Sequence, residues 1–190
     1  LQKSTINGDV FDIAVKSYDF QAPIGQFGQI RPHYHWLRRL NLFLEDFGGD
    51  LARMPPFLPA SNSVNPTNTS DLRWSVRSDG HAGFLFVNNY QRLQPMPEHR
   101  QVRFEVRLPN GMRATFPESP VTIPADSFFF WPFHWDLNGI RLLHATAQPL
   151  LKEEDGEGGL TVVFAETPRV IAEFVFDPAT LKNPSQTEKP

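Results

Sequence analysis

The sequence has no cysteine among its 190 residues, and it has no long apolar run. The first absence excludes disulfides and thiolate metal sites, although it does not identify the cellular compartment. The second excludes a membrane-spanning helix, because such a helix needs about 20 consecutive apolar residues. A net positive charge is also absent: the net charge is −3, the pI is near 6.1, and no basic stripe is present. We therefore expect neither a nucleic-acid partner nor a membrane partner.

What the sequence does contain is enough apolar material for a core. Hydrophobic residues make up 40% of the chain and aromatic residues 13%, a composition that argues against disorder. The chain begins at Leu1 with neither Met nor a signal-peptide pattern, so we expect a trimmed chain or a fragment. Residues 54–70 hold four prolines with several Asn, Ser and Thr, which predicts a linker between residues 1–53 and 71–177. A polar tail follows over residues 178–190.

Residues 1–53 predict one β-strand followed by one α-helix. Val10, Ile13, Ala14 and Val15 form a short apolar run that indicates a buried strand, which leaves through a loop near Phe20. The helix is predicted over residues 32–47, with a proline in its first turn and two glycines, at positions 48 and 49, ending it. We expect this helix to bury one apolar stripe, formed by Leu37, Leu40, Leu44 and Phe47 with Phe43 beside it.

Residues 71–177 predict about eight short strands. Polar and apolar residues alternate over 72–77 and 102–108, as on half-buried strands, whereas residues 83–87 are continuously apolar and predict an inner strand. Asn110-Gly111 and Asn138-Gly139 predict tight hairpin turns. We further expect an exposed acidic loop over residues 155–159, a strand over 160–164 and a last strand over 169–176. Local turns between so many short strands favour an antiparallel sandwich or open barrel.

The segment Ser17-Tyr18-Asp19-Phe20-Gln21-Ala22-Pro23 resembles the end of the eighth barrel strand in the β-galactosidases of glycoside hydrolase family 35. That family typically has Thr-Ser-Tyr-Asp-Tyr-Asp-Ala-Pro at this point. Three later segments resemble the β-domain that follows the barrel in a bacterial subset of the family. They are Leu-Arg-Trp-Ser-Val-Arg-Ser-Asp-Gly at 72–80, Gly-Phe-Leu-Phe-Val-Asn-Asn-Tyr-Gln-Arg at 83–92 and Phe-Phe-Trp-Pro-Phe at 129–133.

The resemblance covers most of residues 10–150, and the order of its segments is its strongest feature. It implies a fold that is mainly β with a short α/β segment: the last βα unit of a (β/α)8 barrel, followed by an antiparallel β-sandwich-like domain that braces the barrel. The implied partners are a galactoside substrate and the rest of the catalytic barrel, with self-association through the exposed barrel edge as an open alternative. The parent enzyme would be secreted or periplasmic.

The activity implied by the resemblance is hydrolysis of terminal non-reducing β-galactosyl residues with retention, through two glutamates on earlier barrel strands. The acid of that pair usually follows an asparagine, and this sequence contains no Asn-Glu dipeptide. Asp12 and Asp19 do not replace the pair, because residues seven apart on a strand point to opposite faces. We therefore predict no catalytic residue in this chain, and no turnover by this chain alone.

The substrate-binding residues that the resemblance implies are Tyr18, Asp19 and Phe20, at the mouth of the barrel. The second tyrosine of the family motif falls on Phe20, which keeps a ring for packing against a sugar but lacks the hydroxyl. A structural alternative is that Tyr18 and Asp19 only fix the loop to the barrel rim.

Two further groups of residues each have two interpretations. The aromatic cluster Phe128–Trp135 favours a domain core with a docking surface, because Phe and Trp commonly fill such cores. The alternative is a carbohydrate-binding or structural β-module without catalytic activity, with Trp131, Trp135 or Tyr90 as the sugar platform. Asn88, Asn89 and Tyr90 end a strand, where they close turns or line a cleft, and the first role is favoured.

We predict no cofactor and no metal. His33 and His35 are two residues apart, so on a helix they point in different directions. The other histidines lack the spacing of metal ligands, and the acidic run Glu153–Glu157 favours a solvated loop over a calcium site. The sequence contains neither a Gly-rich phosphate loop nor a nucleophile-elbow motif.

Overall fold

The structure is a computed structural model that describes residues 20–59, 65 and 67–187. Over these residues the fold is mainly β, with one α-helix and antiparallel sheets. The chain divides into two compact units, residues 1–45 and residues 46–190. The predicted strand over residues 10–15, together with Tyr18 and Asp19, lies outside the described residues.

The described elements are numbered in chain order. The α-helix α1 spans Pro32–Arg53, and a short 3-10 helix covers Pro178–Thr180 after the last strand. The strands are β1 (Pro56–Phe57), β2 (Arg73–Ser78), β3 (Gly83–Asn89), β4 (His99–Arg107), β5 (Arg113–Ile123), β6 (Ser127–Leu137), β7 (Ile140–Ala145), β8 (Ala147–Glu154), β9 (Leu160–Glu166) and β10 (Phe174–Phe176).

The first unit contains a hydrogen-bonded loop that leads into α1. Ile24 and Ile30 form an isolated antiparallel bridge, and the amide of Gly25 donates to the carbonyl of Gln29 at 2.8 Å. Arg31 closes this loop, because its guanidinium donates to the carbonyl of Ala22. These bonds satisfy backbone groups of a segment that forms no regular strand, and they fix where the helix begins.

The helix α1 begins at Pro32, as predicted, but its predicted end at Phe47 is wrong. It continues through Gly48 and Gly49 to Arg53, six residues further. A glycine inside a helix costs about 1 kcal/mol relative to alanine, so local preference alone favours an earlier end. Tertiary contacts of the last turns must offset that cost.

Those contacts lie in the second unit. The ring of Phe47 stacks on Trp135 with centroids 4.9 Å apart, and Phe47 and Met54 are both buried. The carboxylate of Asp46 accepts a hydrogen bond from the backbone amide of Lys152 at 2.9 Å. Burial of two large apolar side chains contributes several kcal/mol, at about 1.5–3 kcal/mol each. This is enough to carry the helix through its two glycines.

The apolar stripe predicted for α1 is buried only in part, so this prediction is wrong for most of its residues. Phe43 and Phe47 are buried, whereas Leu37, Leu40 and Leu44 are each 40% or more exposed. Helical periodicity identifies which side chains share a face, but burial also requires a second surface against that face.

The second unit contains a six-stranded antiparallel sheet in the order β1-β2-β3-β6-β7-β10, and two antiparallel pairs, β4–β5 and β8–β9. The prediction of an inner strand at 83–87 is confirmed, because β3 lies between β2 and β6. Both predicted hairpins are also confirmed. Asn110-Gly111 connects β4 to β5, and Asn138-Gly139 connects β6 to β7 with left-handed φ angles of 52° and 88°.

The core of this unit lies between the large sheet and the β4–β5 pair. Alternation places every second residue of β3 and β6 on the inner face, where Leu85 pairs with Trp131 and Val87 with Phe129. The remaining core residues come from β6 itself, from other strands, from the turn after β4 and from the segment before β10. They include Val76, Phe104, Val106, Leu108, Ala114, Phe116, Ile123, Phe133 and Val170.

Two segments near the ends of this unit differ from expectation. The last strand covers only Phe174–Phe176, so the prediction of a strand from residue 169 is wrong in its start. Arg169 has a left-handed φ of 64°, and the amide of Val170 donates to the carbonyl of Thr167 in a turn, which prevents extended pairing. Within the predicted linker, Pro56–Phe57 forms the edge strand β1 against β2.

Candidate functional site

The structure describes only one of the three predicted substrate-binding residues. Phe20 is 63% exposed and has a left-handed φ of 47°, followed by Gln21 at 60°. An exposed ring is accessible to a ligand, but the role of Phe20 in sugar binding stays a prediction. Tyr18 and Asp19 lie outside the described residues.

The aromatic cluster over residues 128–135 is mainly core, which confirms that part of the favoured interpretation, while the docking surface stays a prediction. Trp131 has no exposed surface, and its indole N–H donates to the hydroxyl of Thr167 at 2.9 Å. Trp135 is also buried, between Phe47 and Phe84. A stacking platform must offer a ring face to solvent, so neither tryptophan is one.

The exposed members of the aromatic set are Phe128 and Tyr90, whose ring centroids are 6.4 Å apart in an edge-to-face arrangement. The neighbouring asparagines have structural roles, as favoured from the sequence. Asn89 is fully buried, and its side-chain amide donates to the carbonyls of Pro97 and Pro124, each at 2.8 Å. The Asn88 side chain accepts from the amide of Tyr90 at 3.0 Å.

His144 and Glu173 form a pair in the second unit. The His144 Nε2 atom lies 2.6 Å from Glu173 Oε1, which also accepts from the amide of Glu118 at 2.9 Å. The imidazole ring stacks on Phe116 with centroids 5.5 Å apart. A histidine oriented by a carboxylate can serve as a base, but this ring is covered by Phe116 and is almost fully buried. The pair joins β5, β7 and the segment before β10.

The folded structure disfavours the protonated, charged form of two other histidines. Burial lowers the pKa of His134 below the ordinary value of 6.5, although the backbone carbonyl of His81, 3.3 Å from its Nδ1 atom, acts in the opposite direction. Burial likewise lowers the pKa of His99, against the opposing charge of Asp71. Both groups therefore favour the neutral state in the folded protein.

The described residues bring together no three His, Asp or Glu side chains that could hold a metal ion. Over the same part of the chain, no helix is both long and apolar enough to cross a membrane.

A cavity that sequence reasoning missed lies within the second unit, between the β1–β2 edge of the large sheet and β4. Its volume is about 350 Å³, near the lower end of the roughly 300–1,000 Å³ typical of small-molecule sites. We call it the edge cavity. It is lined by Phe57, Leu58, Pro59, Trp74, Val76, Ser78, Gly80, Glu105, Val106, Arg107, Leu108 and Pro109.

Strand pairing explains how these residues meet. Phe57 of β1 lies opposite Val76 of β2, so the edge strand brings an aromatic ring beside the inner face of the sheet. Alternation along β2 places Trp74, Val76 and Ser78 on that same face. The Trp74 ring lies edge-on to Phe104 of β4, with centroids 5.5 Å apart. The cavity is therefore built on paired strands.

The lining also includes Glu105 and Arg107 of β4, which alternate with the inward-facing Val106, so their side chains lie on the exposed face of the β4–β5 pair. The Arg107 Nε atom donates to Glu105 Oε1 at 2.7 Å, and Arg113 lies 3.9 Å from the same oxygen. The hydrogen bond and charge of Arg107 lower the pKa of Glu105 below its ordinary value of 4.5. Ser78 also lines the cavity, but its hydroxyl proton is already used in a hydrogen bond to the carbonyl of Ala82 at 2.7 Å.

The sequence carried a weak signal for this cavity. Phe57 and Leu58 stand as two apolar residues within a proline-rich stretch that reads as a linker. Their exposed side chains acquire a role only when β1 pairs with β2.

A scan against models of known protein families finds no match for this chain, and a search of curated proteins also finds none. Functional proposals therefore depend on the residues of the chain itself.

Proposed function

We propose that this chain is the C-terminal portion of an enzyme resembling the family 35 β-galactosidases. In this proposal, residues 1–53 are the last strand and helix of a (β/α)8 barrel, and residues 71–177 form a sandwich-like accessory domain. The parent enzyme hydrolyses terminal non-reducing β-galactosyl residues through two glutamates that lie outside this chain. The galactoside contacts residues 18–20 at the barrel mouth.

The observation that supports this proposal is the exposed apolar face of α1. Leu37, Leu40 and Leu44 share one helical stripe, and each is 40% or more exposed, with Trp36 beside them 54% exposed. An outer helix of a barrel carries such a stripe because it packs against the barrel strands and neighbouring helices. The antiparallel β unit is compatible with an accessory domain that follows a barrel segment.

We assign catalysis to the parent enzyme because of how the carboxyl groups in this chain are paired. A retaining glycosidase needs two carboxyl groups about 5 Å apart, one to protonate the leaving oxygen and one to attack the anomeric carbon. Glu105 and Glu173 do not provide this arrangement, because Glu105 is paired with arginines and Glu173 is paired with His144.

The test compares this 190-residue chain with a longer chain that extends it toward the N terminus. We expect the longer chain to hydrolyse 4-nitrophenyl β-D-galactoside with retention, measured by NMR of the product anomer, and the 190-residue chain to show no turnover. Substitution of Phe20 by Ala in the longer chain should raise KM for the galactoside, whereas substitution of the exposed Tyr90 by Ala should not.

Two outcomes would contradict the proposal. Turnover by the 190-residue chain would show that the carboxylate pair lies within it. Absence of galactosidase activity in a folded longer chain would remove the β-galactosidase assignment, and the chain would then be a β-module of another role.

A further inference from the structure

The strand β9 forms one edge of the β8–β9 pair in the second unit. In an antiparallel pair, the backbone groups of successive residues point alternately toward the partner strand and away from it. The amide of Asp155 donates to the carbonyl of Gly159 at 3.1 Å, so the odd-numbered residues of β9 face β8. The N–H and C=O groups of residues 160, 162, 164 and 166 therefore point away from β8. Among the described residues, β9 pairs with no strand on that second side.

The other described edge strands carry features that oppose pairing with a further strand. Proteins protect sheet edges with short strands, prolines, charged side chains and bulges. The strand β1 has two residues, one of them a proline, and β10 has three residues and a register shift. Prolines interrupt β5 and β8, and β4 carries several charged side chains.

None of these protective features occurs within β9. Its seven residues, Leu-Thr-Val-Val-Phe-Ala-Glu, include neither proline nor glycine nor a basic residue, and the one charged side chain, Glu166, stands at its end. Branched and aromatic residues of this kind favour strand pairing. An unprotected edge of this length indicates that another strand pairs with it.

A second copy of this chain fits the edge because β9 is self-complementary. In an antiparallel pair of two β9 strands centred on Val163, the outward-facing backbone groups of Val162 meet those of Phe164, and those of Leu160 meet those of Glu166. This register pairs the whole strand and places no two like charges directly opposite one another. Shifted registers leave part of each strand unpaired.

Charged side chains beyond the two ends of β9 support the same register. Continued past the strand, it places Glu157 of one copy opposite Arg169 of the other, and both residues are exposed. The Asp155 carboxylate accepts from the amide of Glu157 at 2.8 Å, which fixes the loop before β9. The amide of Val170 donates to the carbonyl of Thr167 at 3.0 Å, which fixes the turn after it. Two-fold symmetry repeats the opposite-charge contact at both ends of the ladder.

We propose that β9 is the docking edge for a second copy of this chain, paired antiparallel about Val163, so that the two β8–β9 pairs form one continuous sheet. The inference goes beyond the proposed function, because it uses neither residues 18–20 nor the apolar stripe of α1. Edge pairing buries less surface than a standard stable interface, so we expect a dimer with a Kd on the order of 10–100 μM.

The first test is disulfide cross-linking, which reports the register directly because the sequence has no cysteine. Val163 is 40% exposed, and Val163→Cys places two thiols opposite each other in a non-hydrogen-bonded pair. The Cα atoms of such a pair are about 4.5 Å apart, a separation that a disulfide can span. Oxidised glutathione should therefore convert most of this variant to a covalent dimer, seen on a non-reducing gel, with release of reduced glutathione.

The matched control is Thr161→Cys, on the same face of β9 and also exposed. In the proposed register its counterpart in the second copy lies about 13 Å away along the ladder, too far for a disulfide. At equal concentration it should cross-link at least tenfold more slowly than Val163→Cys. Equal rates for the two variants, or no covalent dimer of Val163→Cys, would overturn the proposal.

The second test is sedimentation velocity on the 190-residue chain carrying Leu40→Ser, so that association through α1 does not contribute. In this background, Val162→Pro removes one outward-facing N–H and leaves the hydrogen bonds to β8 in place. It should weaken the dimer at least tenfold. Val162→Thr keeps the N–H and the branched side chain, and should leave the Kd within about twofold.

The charged ends carry the test if Val162→Pro fails to fold. Arg169→Glu places two acidic side chains opposite one another and should weaken the dimer several-fold. The double variant Glu157→Arg, Arg169→Glu exchanges the charges and should restore the Kd. A double variant no tighter than the single one would overturn the pairing.

Self-association through α1 gives a different pattern and would also overturn the proposal. In that case the Leu40→Ser chain is monomeric at tenfold the expected Kd, and Val162→Pro alone leaves the dimer of the parent chain intact. A monomeric parent chain at the same concentration has the same consequence. None of these measurements requires galactosidase turnover, so this proposal and the proposed function fail separately.

Discussion

The two units differ in how far they bury regularly spaced apolar side chains. In the second unit, alternating residues of β3 and β6 such as Leu85 and Trp131 have no exposed surface. In the first unit, the regularly spaced Leu37, Leu40 and Leu44 of α1 remain substantially exposed. Both patterns predict burial equally well. The difference teaches that periodicity selects the residues that favour burial, whereas a facing layer of structure determines whether they achieve it.

The strongest test of this comparison is a pair of tryptophan truncations, one in each unit. Trp131→Ala should lower the free energy of unfolding by about 3–5 kcal/mol, because it opens a cavity in the core and leaves the Thr167 hydroxyl without its indole donor. Trp36→Ala should change it by less than about 0.5 kcal/mol, since Trp36 is 54% exposed. Urea unfolding followed by circular dichroism measures both. Equal losses would contradict the contrast between the units.

A pair of glycine substitutions sharpens the comparison at the level of the backbone. A Cβ at Gly83 would lie 2.3 Å from the carbonyl oxygen of Arg77 and 2.7 Å from the Phe133 ring, so Gly83→Ala should cost about 1–3 kcal/mol or more. At Gly49 in α1 a Cβ meets nothing within 4 Å, and Gly49→Ala should stabilise by about 0.5–1 kcal/mol.

Thermal unfolding of the two glycine variants should therefore show midpoints displaced in opposite directions. A midpoint for Gly83→Ala at or above that of the parent chain would mean that β3 and β6 are less closely packed than the structure shows.

The pH dependence of stability offers a further test, specific to the second unit. The pKa values of His134 and His99 are lowered on folding, so below about pH 6.5 the unfolded chain binds more protons than the folded one. The stability associated with these neutral rings is complete above that pH and is lost as the pH falls toward their folded pKa values. Urea unfolding at pH 7.5 and pH 5.5, each about one unit from the ordinary histidine pKa, should show a lower stability at the acid value.

The double variant His99→Gln, His134→Gln provides the control, because other titrating groups cancel in the difference. Its stability should fall less between the two pH values than that of the parent chain. The pKa values of Asp79 and Asp155 are also lowered, but both groups titrate below 3.8, outside this window. An undiminished pH dependence in the double variant would assign the effect to other groups.

A small change in stability is also expected at the exposed stripe of α1. Leu40→Ser should alter the free energy of unfolding of the 190-residue chain by less than about 0.5–1 kcal/mol, since little apolar surface is lost from the core. It should, however, reduce self-association of this chain in sedimentation velocity if the stripe is a docking face. Arg39→Ser on the same helix is the matched control. A parent chain that is monomeric at all concentrations would contradict the predicted self-association.

The fold of the second unit was largely predictable where local chemistry is decisive. Asn and Gly tolerate left-handed φ angles with little strain, as Asn138, Gly139 and Gly111 show, so both hairpins could be placed from the sequence. Alternation over 72–77 predicted a half-buried strand, and continuous hydrophobicity over 83–87 predicted the inner strand that β3 forms. The role of Asn89 also followed from its position at the end of a strand.

The errors occur where distant contacts override local preference. α1 passes its two glycines because Phe47 is covered by Trp135, a residue far along the chain. The segment before β10 does not extend as a strand, because the Thr146 side chain accepts from the amide of Glu173 and donates to the carbonyl of Ile171. No periodicity in the sequence reports such bonds.

The two candidate sites, residues 18–20 and the edge cavity, also differ in whether local sequence can predict them. A resemblance to a family supplied residues 18–20, and it depends on local sequence alone. The edge cavity depends on β1, a two-residue strand, meeting β2 and β4 across gaps of about 20 and 50 residues. Such a site is a product of sheet pairing, so its residues carry no contiguous motif.

The sequence by itself determined the strand alternation, the hairpin turns, the start of the helix and the residues that favour burial, because these depend on backbone dihedral angles and on the spacing of side chains. Only the tertiary structure decided where α1 ends, which of its apolar residues are covered, and that an apparent linker forms one wall of a cavity. These outcomes depend on free energies of contact between segments far apart in the chain, which no local pattern records.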